Sequence, residues 1–246
     1  MPAPRFFVEH ALSVDTRVLL PAAVAHHAVT VLRLREGDTI VLFNGRGGEY
    51  RARLVGPDGA GGPRQVEVIG YDPIEREATS RITLIQALAT SDKIDWVIEK
   101  AVELGVARII VTAAARSTAR LDPARRERRL QHWRELAIAA CGQCGRNRPP
   151  AILAAASLDE ALQLAVDTDL KWVLDPAAAG GLPRAPAAPH SAALAIGPEG
   201  GFEPDETRRA VRIGYVPVSL GPRILRTETA GLAAVAAWLA LNGEFS

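Results

Sequence analysis

The chain has 246 residues and is 48% hydrophobic, which excludes a disordered protein and allows either one large domain or two unequal ones. Aromatic residues make up only 5%, so the core has to be mainly aliphatic. With 29 Lys and Arg against 28 Asp and Glu, the net charge of +1 excludes a generally polycationic protein.

The first 70 residues predict a small β-barrel, because short extended runs are separated by Gly-rich turns. A hairpin turn is expected at residues 45–48, and the polar residues 72–80 are the expected linker. One helix is expected from Pro21 to about Leu32, since proline is favoured in a first helical turn. The predicted strands lie at residues 6–8, 39–43, 49–55 and 65–71.

From residue 81 onward, strands alternate with helices, a pattern that predicts a mainly parallel sheet covered on both faces. Such sheets bind ligands beyond the carboxyl ends of their strands. The predicted strands are residues 82–88, 106–112, 151–154, 170–175, 192–197 and 216–220. Helices are predicted at residues 92–104, 123–141, 205–213 and 227–241, with one more opened by a capping box at residues 157–160.

Two of these strands end in loops that are candidates for a ligand site. Residues 197–202, Gly-Pro-Glu-Gly-Gly-Phe, let a backbone approach a ligand closely, although an ordinary strand-to-helix turn has the same composition. Glu199 disfavours a phosphate and favours a cationic or neutral polar ligand. In the second loop, residues 221–230, Thr227 is the expected N-cap. Arg226 opposes the helix dipole there, so it is either a functional residue or a solvated one.

Several familiar enzyme signatures are missing from the sequence. It has no dinucleotide-binding glycine motif, no Walker A loop and no nucleophile elbow, which weakens the case for NAD enzymes, NTPases and α/β-hydrolases. Cys141 and Cys144 have C-x-x-C spacing but lack the second pair of ligands that a zinc site needs. We therefore expect no metal.

The two loops resemble the signature loops of the RsmE family, methyltransferases of the SPOUT superfamily that act on N3 of a uridine in 16S ribosomal RNA. The residues that carry the resemblance are 196–202 and 220–230. Lys93, Lys100 and residues 103–106 resemble a third family motif. Gln143 and Arg146 resemble a fourth, although Gly142 stands where the family usually has Glu.

The resemblance implies an α/β fold with two domains. Residues 1–74 would form a PUA-like, RNA-binding β-barrel, and residues 75–246 a SPOUT domain with a deep trefoil knot that binds the cofactor and forms a homodimer. S-adenosylmethionine would be the methyl donor, and small-subunit ribosomal RNA or the assembled small subunit the partner. The cofactor-binding residues would be Leu174, a positional choice, together with Ile196, Gly197, Pro198, Glu199, Gly200, Gly201, Leu220, Gly221, Ile224, Leu225 and Thr229.

Uridine N3 is a poor nucleophile until its proton leaves, so the reaction needs a general base or a cation that stabilises the uridine anion. We assign the cation role to Arg226, and Glu199 or Glu228 is a candidate base. Lys93 is expected to contact RNA or the target base.

An arginine-rich segment, residues 116–148, holds nine Arg against three acidic residues, a net charge of +6 that leaves −5 for the rest of the chain. Leu130, Trp133, Ala137 and Ala140 recur at helical spacing and should be buried. Arginines outside that stripe could contact phosphates or could simply be solvated. The candidate RNA-binding arginines are Arg125, Arg126, Arg128, Arg129 and Arg146.

Two other functions remain open at this point: a SPOUT enzyme that modifies the base or ribose of another RNA such as transfer RNA, and a non-catalytic RNA-binding protein of ribosome assembly. The first ten residues lack the apolar region of a secretory signal, and the apolar residues 230–241 are shorter than the roughly 20 needed to span a bilayer. We therefore expect a cytoplasmic protein without a membrane partner.

Overall fold

The structure, a computed structural model, describes residues 3–56, 64–120, 122–182 and 190–245. Contacts within the chain group it into two compact units. Unit 1 comprises Met1–Glu77 and Cys141–Pro149, and unit 2 comprises Ala78–Ala140 and Pro150–Ser246. The sequence predicts one boundary, between residues 74 and 75, and so does not include the return of Cys141–Pro149 to unit 1.

Unit 1 contains a curled five-stranded sheet around its own hydrophobic core. Its strands are β1 (Arg5–Phe7), β2 (Arg17–Leu19), β3 (Thr39–Phe43), β4 (Glu49–Val55) and β5 (Gln65–Asp72), in the order β1-β3-β4-β5-β2. Strand β1 pairs parallel with β3, and the other neighbours are antiparallel. The predicted turn between β3 and β4 contains Gly45, Gly47 and Gly48, which all have positive φ angles.

Two elements of unit 1 differ from the sequence prediction. Strand β2 is not predicted, because three residues with one buried side chain, Val18, carry almost no periodic signal. The helix predicted from Pro21 is a short α-helix, α1 (Ala22–His26), that continues as a π-helical turn over His27–Val31.

Side chains tie the returning segment into unit 1. Arg5 donates to the Asn147 carboxamide oxygen at 2.6 Å and to the Gly145 carbonyl at 3.1 Å. Arg146 forms an ion pair with Glu77 at 2.5 Å, with 4% of the Arg146 side chain exposed. Because a buried guanidinium is stable only when it is paired, this contact helps to fix the segment.

Unit 2 is built on a six-stranded sheet in which every neighbouring pair is parallel, which confirms the predicted α/β class. Its strands are β6 (Arg81–Ala87), β7 (Arg108–Thr112), β8 (Ala151–Ala155), β9 (Leu170–Leu174), β10 (Ser191–Ile196) and β11 (Val216–Val218), in the order β11-β9-β10-β6-β7-β8. The helices are α2 (Ser91–Glu103), α3 (Pro123–Cys144, whose last four residues belong to unit 1), α4 (Leu158–Gln163), α5 (Pro204–Arg212) and α6 (Thr227–Leu241). The trefoil knot stays a prediction.

Local sequence signals explain where the elements of unit 2 begin and end. Gly105, with φ of +83°, ends α2 as expected for a helix stop. The Ser157 hydroxyl accepts from the Glu160 amide at 3.2 Å and caps α4. Trp238 of α6 packs edge-on against Trp172 of β9, with ring centroids 5.3 Å apart, and holds the last helix on the sheet.

The strand order determines where a ligand can bind. Strand β10 lies between β9 and β6, with Ile196 opposite Gln86. Strand β11 lies outside β9, with Val218 opposite Leu174. Because parallel strands end at the same edge of a sheet, these four residues bring the loops that follow them together.

Candidate functional site

A cavity of about 390 Å³ lies at the carboxyl ends of β9, β10 and β11. Its volume falls within the range of small-molecule sites, which is about 300 to 1,000 Å³. The cavity is lined by Lys93, Leu174, Asp175, Pro176, Ile196, Gly197, Pro198, Glu199, Gly201, Val218, Ser219, Leu220, Gly221, Arg223, Ile224, Leu225, Arg226, Thr227 and Ala230. Most of these residues lie at the end of a strand or in the loop that follows it, where the sheet topology predicts a site.

The first wall of the cavity is the loop of residues 197–202, which folds back on itself. The Gly201 amide donates to the Pro198 carbonyl at 2.8 Å, and Gly201 has a φ of +69°. A Cβ on Gly197 would lie 2.9 Å from the Phe202 nitrogen, closer than real Cβ atoms come to a backbone. Gly197 therefore has no room for a side chain, and the left-handed backbone at Gly201 favours glycine.

The second wall is the loop of residues 219–226. Gly221 has a φ of +89°, and a Cβ added there would meet no described atom within 4 Å. Ile224 is 84% exposed at the rim, which leaves an apolar side chain uncovered beside the cavity. The combination gives a wall with accessible backbone and an apolar edge.

The expected N-cap at Thr227 is wrong. Arg226 occupies the cap position, with extended backbone angles, and Thr227 is the first residue of α6. The Thr227 side chain is 6% exposed and donates to the Gly197 carbonyl at 2.5 Å, so it is used inside the protein. Arg226 is exposed and lines the cavity, as its unfavourable place on the helix dipole suggested.

One lysine contacts two carboxylates at the mouth of the cavity. The Lys93 ammonium donates to a Glu199 oxygen at 2.8 Å and lies 3.5 Å from a Glu228 oxygen. The hydrogen bond from Lys93 holds the pKa of Glu199 below its ordinary value. The same bond raises the pKa of Lys93, which keeps the lysine cationic. Lys93 is thus a paired side chain of the cavity wall.

Most predicted cofactor-binding residues line the cavity, and two do not. Gly200 is exposed, and its carbonyl accepts from Arg116 at 3.0 Å. Thr229 is also exposed and lies outside the lining. The lining residues that sequence reasoning missed are Asp175, Pro176, Val218, Ser219, Arg223, Thr227 and Ala230. Each of them lies within two positions of a predicted residue, and loop sequence alone does not say which side chains face inward.

The four candidate RNA-binding arginines of α3 divide into an exposed pair and a partly buried pair. Arg125 and Arg128 are exposed. Arg126 donates to the Ala154 carbonyl, and Arg129 donates to Ser91 while its guanidinium lies 5.1 Å from the centre of the Trp133 ring. The apolar stripe of this helix is buried as predicted: Leu130, Trp133, Ala137 and Ala140.

Arg146 does not fit the predicted phosphate-binding role. It is 3% exposed overall and is held by Glu77 within unit 1. Its charge is therefore paired within unit 1, and any contact with RNA phosphates falls to the exposed arginines elsewhere in residues 116–148.

The described parts of the chain contain no candidate metal centre and no candidate membrane span. No group of three or more His, Cys, Asp or Glu side chains there could hold a metal ion. Cys141 and Cys144 are both free thiols, and burial raises the pKa of Cys141 to about 12. No described helix is long and apolar enough to cross a membrane.

Comparison with protein families matches both parts of the sequence. Residues 76–239 match the family described as an RNA methyltransferase domain, and residues 20–61 match an RNA methyltransferase PUA domain. Ribosomal RNA small subunit methyltransferase E of Bacillus subtilis is 33% identical, over 86% of this chain and 85% of its own. The protein of that name from Mycobacterium tuberculosis is 31% identical, over 96% of this chain and 91% of its own.

Two solved structures are similar over nearly the whole chain. A ribosomal RNA small subunit methyltransferase E from Neisseria gonorrhoeae, bound to S-adenosylmethionine, has a TM-score of 0.91 and 36% identity, covering 100% of both chains. A methyltransferase from Legionella pneumophila, also with bound cofactor, has a TM-score of 0.91 and 32% identity, covering 98% of both chains.

The ion pair at the cavity mouth yields a direct prediction. Replacing Lys93 with Met removes the hydrogen bond and the positive charge beside Glu199, so the pKa of Glu199 should rise toward its ordinary value. The measurement is a carboxyl NMR titration with Glu199 assigned. Lys100→Met is the matched control, since Lys100 is on the same helix but pairs with Glu99 and Glu103. An unchanged Glu199 titration in Lys93→Met would contradict the pairing.

Proposed function

This chain belongs to the RNA methyltransferase family that includes the ribosomal RNA small subunit methyltransferase E proteins, and on that premise we propose that it methylates small-subunit (16S) ribosomal RNA. S-adenosylmethionine is the methyl donor and N3 of a uridine is the acceptor. The observation that carries the proposal is the cavity at the strand ends, which is formed by the two loops that resemble the family signatures.

The residues of the cavity fit S-adenosylmethionine. Apolar side chains such as Leu174, Ile196 and Leu225 suit the adenine ring, and Gly201 and Gly221 leave the backbone accessible beside them. The cofactor carries a sulfonium, an ammonium and a carboxylate, so it needs a lining with both signs of charge. The charged residues of the lining are Lys93, Arg223 and Arg226 against Asp175 and Glu199.

When bound, S-adenosylmethionine supplies an electrophilic methyl carbon attached to a positively charged sulfur. The protein has to hold an acceptor nitrogen in line with that carbon, and well-oriented reactants of this kind gain up to about 7 to 11 kcal/mol. The acceptor nitrogen would form its bond to the methyl carbon as the carbon–sulfur bond breaks, with the electron pair of that bond left on a neutral thioether sulfur. The N3 proton would have to leave before or during this displacement.

We assign the stabilisation of the deprotonated uracil to Arg226. Its guanidinium is permanently charged, is exposed at the start of α6 and lines the cavity. A cation beside a uracil carbonyl oxygen favours the anion, which makes N3 a better nucleophile. Its place before the helix, which costs stability, is then explained by function.

Glu199 is the carboxylate that we assign as proton acceptor. It lines the cavity, whereas Glu228, which lies 3.5 Å from the Lys93 ammonium with 16% of its side chain exposed, does not. Because Lys93 lowers the pKa of Glu199, the carboxylate is ionised at neutral pH but is a weak base. Arg226 therefore has to supply most of the driving force for deprotonation.

Three further parts of the proposal concern partners and location. The PUA-like unit and the exposed Arg125 and Arg128 would contact RNA phosphates. The protein would act as a homodimer, for which the apolar α6 with its exposed Leu241 offers a contact face. Because the proposed substrate is ribosomal RNA, we also propose that the protein is cytoplasmic.

The decisive assay incubates the protein with labelled S-adenosylmethionine and, separately, naked ribosomal RNA, assembled small subunits and transfer RNA. We expect label on N3 of one uridine of the small-subunit RNA, in one or both of its forms, located by digestion and mass spectrometry. Label only on transfer RNA, or on a ribose, would indicate a different RNA methyltransferase. Binding of RNA without binding of cofactor in calorimetry would indicate a non-catalytic assembly protein.

Replacing Arg226 with Ala should lower kcat by about 100-fold or more, as loss of a transition-state donor does, while the affinity for S-adenosylmethionine should fall far less. Single-turnover rates and calorimetry measure the two quantities. Arg81→Ala is the control, because Arg81 is also exposed but begins strand β6 at the opposite edge of the sheet. Equal turnover in Arg226→Ala and wild type would end the assignment.

RNA binding should weaken steeply with salt. The double substitution Arg125→Ala/Arg128→Ala should reduce the slope of log K against log salt by about 1 for each phosphate that is no longer neutralised. Filter binding over a range of salt concentrations measures the slope. Arg208→Ala/Arg212→Ala, which removes two exposed arginines of α5, is the matched control. An unchanged slope in the α3 variant would show that its arginines are only solvated.

A further inference from the structure

A chain of buried hydrogen bonds runs beneath the two cavity loops. The Gln86 side-chain amide nitrogen donates to the Thr227 hydroxyl oxygen at 3.0 Å and to the Ala87 carbonyl at 3.1 Å. The Thr227 hydroxyl in turn donates to the Gly197 carbonyl at 2.5 Å. The bonds connect the end of β6, the first turn of α6 and the first residue of the loop at 197–202.

The polar groups of this chain are deeply buried. Gln86 is 1% exposed and Thr227 is 6% exposed, and the Gln86 side-chain oxygen has no hydrogen-bond partner among the described residues. Burying an amide and a hydroxyl costs free energy that their hydrogen bonds only partly return, so apolar side chains of similar shape would be at least as stable here. The polar chain is therefore better explained by the geometry that it imposes than by the stability that it adds.

Two glycines leave room for this arrangement. A Cβ on Gly231, one turn into α6, would lie 3.3 Å from Ile196 and 3.4 Å from the Gln86 side-chain oxygen, so the helix sits close to the strand ends. Gly197 has no room for a Cβ because the loop backbone lies 2.9 Å away. The Thr227 hydroxyl thus bonds to the carbonyl of a residue that the loop backbone already packs against closely.

We propose that Gln86 and Thr227 are positioning residues for the cofactor site: their hydrogen bonds hold the Gly197 loop and the start of α6 in the arrangement that binds S-adenosylmethionine. This inference rests on the proposed function. Gln86 does not line the cavity, so it acts only through Thr227. The bond to Thr227 also occupies the Gly197 carbonyl, which leaves other backbone groups of the loop to meet the ligand.

The test compares two substitutions that remove hydrogen bonds but keep the shape of the side chain. Thr227→Val removes the hydroxyl, and Gln86→Met removes the amide beneath it. Each should weaken binding of S-adenosylmethionine by about tenfold, the effect of one lost hydrogen bond with an unpaired partner, as measured by calorimetry. The Michaelis constant for RNA should stay close to wild type, which separates a cofactor-site effect from general damage to the fold.

Three controls make the result specific. Thr227→Ser keeps the hydroxyl and should restore wild-type affinity. Thr83→Val removes another buried hydroxyl from the same sheet, one that accepts from Arg108 near the start of β6, and should leave cofactor affinity unchanged. The double variant Thr227→Val/Gln86→Met should bind little more weakly than either single variant, because both remove the same connection.

Each outcome decides between the alternatives. Wild-type affinity in folded Thr227→Val or Gln86→Met overturns the inference, as does equally weak binding by Thr227→Ser or Thr83→Val. If Thr227→Val does not fold, Gln86→Met alone decides, because it leaves the cavity lining intact. Failure of the wild-type protein to bind S-adenosylmethionine would instead overturn the proposed function, so the two failures are distinguishable.

Discussion

The parallel pairing of β10 with both β9 and β6 is the constraint on which the cavity depends. Parallel strands end at one edge, so the chain has to leave β10 and β11 on the same side and form both loops there. The register matters as much as the direction, because it sets Ile196 opposite Gln86 and so brings the Gln86 side chain within reach of α6. A shift by one residue would turn the side chains at the strand ends to the opposite face and separate these groups.

At the cavity mouth, one lysine, Lys93, pairs with two carboxylates. Glu199 and Glu228 both have an oxygen within 3.5 Å of the Lys93 ammonium, so removing that cation would leave two nearby negative charges uncompensated. Pairing them leaves Arg226 free of a carboxylate partner among the described residues, so its charge is available to an incoming group. The acidic loop therefore does not make the cavity lining negative, because Lys93, Arg223 and Arg226 outnumber the two acidic residues of the lining.

Much of unit 2 follows from the sequence, because apolar runs such as that of β6 and stop signals such as Gly105 are local. The two loops are also predictable, since their glycines and their places after strands are both visible in the sequence. The contact of Thr227 with Gln86 is not, because the two residues are 141 positions apart and neither lies in a periodic pattern that predicts their meeting. The sequence predicts Thr227 as a helix cap, the usual local role of a threonine before a helix. In the structure its hydroxyl instead donates to the Gly197 carbonyl.

The arginine-rich segment shows why a count of charges is a poor measure of a binding surface. A helix turns by 100° per residue, so consecutive arginines cannot all face solvent once Leu130 and Trp133 have fixed the buried side. Arg126 and Arg129 lie near that side. Arg126 donates to the Ala154 carbonyl, and the Arg129 guanidinium lies over the Trp133 ring. Arg146 is taken up entirely by its pairing within unit 1. The net charge of +6 over residues 116–148 therefore overstates the binding surface: six of its nine arginines are exposed, and only these can contribute counterion release on RNA.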